Sequence, residues 1–323
     1  MTWRLRQFTA IARISLLDII RQPGFLLIAA FGILFIAGLP VLLTQTLGES
    51  ARLVRDNALA VHLAFGLVLG SYAASSTMSR ETALGTAALV LSKPVGRGLF
   101  FLAKLAGAAA ATLLFSLGAA MATLLSARAA SGYFVLDWWA GGPALAAPVL
   151  AFAVGGLLNY RDRGPFVSRA FAWMLILAAA ALAWACFIDP EGHRGAFGAH
   201  LDWRLVPASL LIGIALLMLT GLAGLLATRL DTVPTLILCS LALLLGLTSD
   251  HLFGRYAEHS AFASVLYSLT PNWQHFWLAD ALSGDGRIPW SYVGRAAVYG
   301  GLYLGGLLLL GLLSFRKAEL RNG

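Results

Sequence analysis

Chemistry in a polypeptide needs polar groups held close together, and this chain offers few places for it. Asp189-Pro190-Glu191-Gly192-His193 sets two carboxylates and an imidazole in one short stretch, and Asp250-His251 adds another acid–imidazole pair. Such groups can ligate metals or exchange protons, but nearly consecutive residues in a Pro-Gly turn are ill placed to converge. His62 stands alone, and reads as a hydrogen-bonded residue near a helix end. Cys186 and Cys239 both lie in apolar runs and read as small buried hydrophobes. A nucleotide phosphate loop needs a Gly-Lys pair, and the sequence contains none. It also lacks the His-Glu-x-x-His zinc helix and the Gly-x-Ser-x-Gly nucleophile elbow. The most organised charge lies in Arg80-Glu81, Lys93 and Arg97, which frame Gly85, Thr86, Pro94 and the apolar run Ala83–Leu91. That run is too short to cross a membrane. Glu81 suits the first turn of a helix, where the dipole is positive, and Pro94 stops it. The prediction is a short helix on a membrane surface, its charged ends open to a soluble partner.

The elements that hold these residues are set by composition. Hydrophobic residues make up 59 % of the 323 and charged residues 12 %, with a mean hydropathy of +0.80. Soluble domains carry about 25 % charged residues. Half that cannot coat a soluble globule, which excludes a cytosolic enzyme, a disordered chain and a nucleic-acid-binding domain. An all-α polytopic membrane protein remains. A bilayer core needs about 20 mostly apolar residues per helix. Eight stretches are predicted as spans, namely 24–43, 58–78, 99–125, 142–158, 170–188, 205–228, 234–248 and 294–315, of which the fourth and seventh are short. With the N-terminus inside, 15 of the 23 basic residues fall on the cytoplasmic side. The others, Arg52, Arg55, Arg128, Arg194, Arg204, Arg255, Arg287 and Arg295, fall outside. That asymmetry satisfies the positive-inside rule with both termini cytoplasmic. The centres of the spans hold no Asp, Glu, Lys or Arg. Their polar content is Ser71, Ser75, Ser76, Thr77, Ser116 and Thr220, which can bond between helices or back onto their own backbone. Gly66-x-x-x-Gly70, Gly301-x-x-x-Gly305 and the run Ala106–Ala111 allow close helix approach.

Residues 1–23 form a separate unit. On a helical wheel Leu5, Phe8, Ala12, Leu16 and Ile19 share one face, while Arg6, Gln7, Arg13, Asp18 and Arg21 lie elsewhere. Such a helix lies in the membrane interface with Phe8 among its anchors, and Pro23 ends it before the first span. Residues 24–315 make the transmembrane domain, and 316–323 a basic cytoplasmic tail. Outside, Asp137-Trp138-Trp139 and the segment 249–293, with Trp273, Phe276, Trp277 and Trp290, have the aromatic density of a membrane–water interface. Trp273, Phe276 and Trp277 are predicted to anchor a short interfacial helix over 273–282.

Glu81-x-x-x-Gly85-Thr86, a short Leu-rich run and Ser92-Lys93-Pro94-x-x-Arg97 resemble the loop of type-2 ABC (ABC-2) exporter permeases. The similarity is to the group labelled as multicopper-enzyme or nitrous-oxide-reductase maturation permeases. Thr270-Pro271-Asn272-Trp273-x-x-Phe276-Trp277-x-Ala279-Asp280-Ala281, Ile288-Pro289 and Phe315-Arg316-Lys317-x-Glu319-Leu320 resemble the same group's tail, and Ala227-Thr228-Arg229-Leu230 before the seventh span also fits. The common architecture of that superfamily has six spans, against eight predicted here. The resemblance implies that the loop is a coupling helix docking on a separate ABC ATPase subunit. Arg80, Glu81, Lys93 and Arg97 would make its polar contacts, Gly85 and Thr86 would allow close approach or a bend, and Pro94 would set the exit angle. It also implies a second permease chain, a bacterial inner membrane, and ATP with Mg on the partner, with no cofactor, metal or catalytic residue in this chain. Two other readings stay open. One is a polytopic membrane enzyme acting on lipids through Asp189, Glu191, His193, Asp250 and His251. The other is a non-transporting membrane scaffold driven by an ATPase.

Overall fold

The computed structural model describes residues 3–43, 49–84, 96–132, 135–257, 260–284 and 286–319, without the side chains of 79–84, 257, 262–263, 268–269 and 316–319. Among the described residues the secondary structure is helical, apart from one isolated antiparallel bridge between Ile188 and Arg194. The chain runs through α1 (Trp3–Ile20), α2 (Pro23–Leu42), α3 (Ser50–Leu84), α4 (Arg97–Ala129), α5 (Trp138–Asp162), α6 (Phe166–Phe187), α7 (Leu205–Leu226), α8 (Thr232–Leu247), α9 (Ala261–Leu269) and α10 (Trp290–Glu319).

Seven of these helices are long and apolar enough to cross a membrane: α2 to α7 and α10. The predicted fourth span is lengthened at both ends to 25 residues. Asp137 caps its start, accepting from the backbone N–H of Trp139 and Ala140 at 2.9 and 3.2 Å. Arg163, in a left-handed conformation at φ 50°, ends it. The seventh stretch falls below membrane-crossing length, but α7 and α10 run the same way, with Thr228 meeting Ser314 at one end and Arg204 meeting the Gly284 carbonyl at the other, so α8 and the segment after it carry the chain back between them. α8 has 16 residues, or about 24 Å of helix at ~1.5 Å per residue, short of the ~30 Å hydrocarbon core. A π-helical turn, Asp250–Gly254, follows it and carries Asp250 and His251 away from the apolar segment.

Pro23 sits in the first turn of α2, and Gln22 before it is extended, with φ −79° and ψ 127°. The residue before a proline is biased away from helical geometry, and Gln22 follows that bias, so α1 and α2 are separate helices. α1 buries Ser15 and Ile19, with Phe8, Ala12 and Leu16 half-buried on the same side. That face lies on α4, not only on lipid. Leu5, predicted to share it, is exposed.

α3, α4 and α7 make the centre of the bundle. α2, α5 and α6 flank α4, α8 lies on α3, and α10 lies on α7. Close approach explains the centre. A Cβ on Gly66 would lie 2.3 Å from Leu216 Cδ1, and one on Gly70 would lie 2.5 Å from Thr220 Oγ1. The first Gly-x-x-x-Gly therefore seats α3 on α7 within this chain. Gly301 and Gly305 on α10 have open space where a Cβ would go, so the same motif does no such work there among the described residues. Enlarging Gly70 to valine is expected to force α3 and α7 apart and cost about 1–3 kcal/mol, the usual penalty for overpacking. A thermal melt in detergent checks this, and Gly301→Val should melt like the parent.

Candidate functional site

Many polar groups of the span interiors are engaged in packing, while the hydroxyls of Ser126, Ser209 and Thr235 are enclosed with no hydrogen-bond partner among the described residues. Ser116 Oγ and His62 Nε2 are 2.8 Å apart, joining α4 to α3. Thr220 Oγ1 donates to the Leu216 carbonyl at 2.7 Å and faces Thr112 Oγ1 at 3.4 Å, joining α7 to α4. Ser75, Ser76 and Thr77 donate to carbonyls of Ser71 and Ala73 on their own helix, at 2.7, 3.3 and 2.6 Å. His62 lies fully buried, deeper than the interfacial position predicted for it. Charged side chains of the long helices fall within about two turns of their ends.

At one end of the bundle stands the Arg80–Arg97 connection. Arg80 and Glu81 lie on the last turns of α3, and Arg97 opens α4 and is exposed. Gly85, Thr86, Lys93 and Pro94, with the predicted coupling helix, lie outside the described residues. The structure does describe what these residues hang from. α3 and α4 are the two longest helices, 35 and 33 residues, and they are neighbours in the centre. The start of α4 is clamped. Phe101 is fully buried with its ring 5.5 Å from that of Phe315 on α10, and Lys104 Nζ stands 5.5 Å over the Phe100 ring. Thr228, just after α7, meets Ser314 of α10 at 2.8 Å. On the other side of α4, the first helix crosses at Gly107. A Cβ there would lie 2.5 Å from Ser15 Cβ and 2.7 Å from the Ala12 carbonyl oxygen.

The opposite end carries a feature that sequence reasoning missed. Arg128, assigned by the span order to the outer side, is 1 % exposed. Its Nε donates to Asp137 Oδ2 at 2.8 Å, its Nη2 to the Ile188 carbonyl at 2.6 Å, and its Nη1 to the Ala185 carbonyl. Asp137 spends its other oxygen on the cap of α5. One ion pair thus ties the end of α4, the start of α5 and the end of α6. An aspartate just before an apolar helical run could have pointed to Asp137 as a cap, but the carbonyls that complete the site are far off in the chain.

The predicted aromatic anchors are partly corrected. The expected helix over 273–282 is two short 3₁₀ turns, Trp273–His275 and Asp280–Leu282. Trp273 and Phe276 are each 2 % exposed, so they face protein, not lipid. Trp273 Nε1 donates to the Ala242 carbonyl at 3.0 Å, and its ring lies where a Cβ on Gly246 would come within 2.2 Å. The segment therefore packs onto α8. Trp277 and Phe8 are half-buried, while Trp138, Trp139 and Trp290 are the exposed tryptophans of these segments.

In the acidic clusters the two aspartates are engaged, while Glu191, His193 and His251 are exposed. Asp189 Oδ1 accepts from the backbone N–H of Glu191 and His193 at 3.1 and 2.7 Å, closing a turn. Asp250 Oδ1 accepts from Tyr267 Oη and Asn272 Nδ2, both at 2.8 Å. That bond to a carboxylate pushes the Tyr267 phenol above its usual range. Among the described residues, no group of three or more His, Cys, Asp or Glu side chains is placed to hold a metal ion.

These features define a multi-pass, helical membrane protein. No family model matches the chain, and no curated protein matches it.

Proposed function

We propose that this chain is the membrane-spanning permease subunit of an ABC exporter of the type-2 superfamily. A separate ATPase docks at the Arg80–Arg97 connection, and two permease chains form the pathway. The proposed setting is a bacterial inner membrane with both termini cytoplasmic. The observation that carries the reading is mechanical: this connection joins the two longest, most central helices. Force applied at the connection acts on α3 and α4 directly, on α1 through the Gly107 crossing, and on α10 through Phe101 and Phe315. The residue pattern of the loop, which resembles a coupling helix, supplies the identity of the docking partner.

The lipid-enzyme alternative draws on Asp189, Glu191, His193, Asp250 and His251, of which the Asp189 and Asp250 carboxylates are already engaged in holding turns together. Charge reversal tests the proposal. Glu81→Lys combined with Arg97→Glu should abolish co-purification of the ATPase and lower ATP turnover to that of the free ATPase, with the melting curve of the permease unchanged. Co-purification and turnover at parental levels would contradict it.

A further inference from the structure

The Arg128 end holds a cleft of about 570 Å³ between α3, α4 and the segment that leads into α7. Arg52, Arg55, Arg128, Arg204 and His200 line it, with Asp202 as the one carboxylate among the described lining residues. Asp56 and Asp137, which pair with Arg55 and Arg128, do not line it. The arginines differ in how far they are engaged. Arg128 is committed to its ion pair with Asp137 and to two carbonyls. Arg204 is held by Asp202 at 2.8 and 3.0 Å and by the Gly284 carbonyl at 2.8 Å. Arg52 is half-exposed and meets Glu49 and Asp56 only at 3.8 and 3.7 Å.

Arg55 is the informative one. It is 8 % exposed, its Nε donates to Asp56 at 3.0 Å, and its Nη1 donates to the Leu282 carbonyl at 2.8 Å. Its Nη2 is enclosed and has no hydrogen-bond partner among the described residues. A buried guanidinium nitrogen without an acceptor is costly and calls for one. A phosphate oxygen suits the planar fork of arginine, and all eight basic residues that the span order assigns to this end are arginines.

A second crevice, about 810 Å³, adjoins the cleft and shares Leu201, Asp202 and Arg204 with it. Apart from Arg287 its other walls are apolar: Trp203, Val206, Pro207, Ile288, Pro289 and Trp290. A charged cleft continuous with an apolar crevice, both at the ends of membrane-length helices, matches the two halves of a lipid. The geometry points to a binding site for an anionic phospholipid. Its phosphate contacts Arg52 and Arg55, and an acyl chain lies along Trp203, Val206, Ile288 and Trp290. The inference rests on the membrane-spanning fold and is independent of any ATPase.

Native mass spectrometry of the delipidated chain in neutral detergent tests it, with phosphatidylglycerol, phosphatidylcholine and inorganic phosphate as probes. Phosphatidylglycerol should bind in preference to phosphatidylcholine, and inorganic phosphate in similar amounts should not displace it. Arg52→Gln removes a half-exposed side chain without disturbing the core and should weaken phosphatidylglycerol by about tenfold, as expected for one charge-assisted hydrogen bond. Trp290→Ala, at an exposed position, should weaken it through the apolar half. Arg55→Gln, with a melting curve to confirm folding, should weaken it most. Equal binding of the two lipids would overturn the proposal, as would phosphatidylglycerol binding unchanged in Arg52→Gln and Trp290→Ala. Displacement by inorganic phosphate would overturn it too, by making the ligand a free oxyanion.

Discussion

Asp137→Ala is expected to destabilise the protein by about 3–5 kcal/mol, the cost of leaving a buried ion without its partner. Both partners are enclosed: the Arg128 side chain is 0 % exposed and that of Asp137 3 %. The alanine variant therefore strands a cation among carbonyls that only partly compensate it. It also uncaps α5, adding about 1 kcal/mol. Loss should appear as early unfolding of the contacts among α4, α5 and α6, seen as a lowered melting temperature in detergent. Removing both charges while keeping a cap, as in Arg128→Met with Asp137→Asn, should recover most of the loss. The intact pair is worth far less than the damage done by breaking it. Parental melting of Asp137→Ala would mean that the pair is solvated.

Gly107→Leu is expected to be the most damaging single substitution on the proposed coupling side. At most close-packed glycines here a side-chain tip lies in the way, and tips can move. At Gly107 the obstacles include backbone: the Ala12 carbonyl oxygen at 2.7 Å and the Leu16 nitrogen at 2.9 Å from a Cβ. α1 can accommodate a side chain only by lifting off α4 and exposing Ile19 and Ser15. The cost falls at the upper end of the ~1–3 kcal/mol typical of overpacking. Under the proposed function it also breaks the link between α1 and the coupling connection. Cysteines placed on α1 and α4 should crosslink in the parent and fail to do so in Gly107→Leu. ATP-driven activity should fall further than Gly107→Ala, the smaller insult, makes it fall. Efficient crosslinking in Gly107→Leu would contradict this crossing.

What the sequence made legible follows from the physics of each feature. Span positions could be read because some 20 consecutive apolar residues match the thickness of a bilayer core and exceed what a soluble helix needs to bury. The break at Pro23 could be read because proline constrains its own neighbour. The buried face of α1, with Phe8, Ala12, Leu16 and Ile19, followed from periodicity, but Gly107 as its seat did not, because periodicity says nothing of the partner. The burial of Arg128 stayed hidden for a similar reason. A basic residue just past an apolar run looks like surface charge, and only the Ala185 and Ile188 carbonyls, 57 and 60 residues on, make it a core residue. Trp273 and Phe276 misled because aromatic density is the same whether the rings meet lipid or a helix. The two Gly-x-x-x-Gly motifs show this limit most plainly: identical spacing seats α3 on α7 in one case and faces open space in the other.

The central claim is that the Arg80–Arg97 connection receives a separate ATPase. It is tested most directly by isolating the chain from its native membranes in mild detergent and identifying what accompanies it in stoichiometric amount. The account predicts a soluble subunit bearing a Gly-x-x-x-x-Gly-Lys-[Ser/Thr] phosphate loop, which crosslinks to the chain through a photoreactive residue at position 97. Isolation of the chain with no such subunit, or a crosslink that maps to the Arg128 end instead, would contradict it.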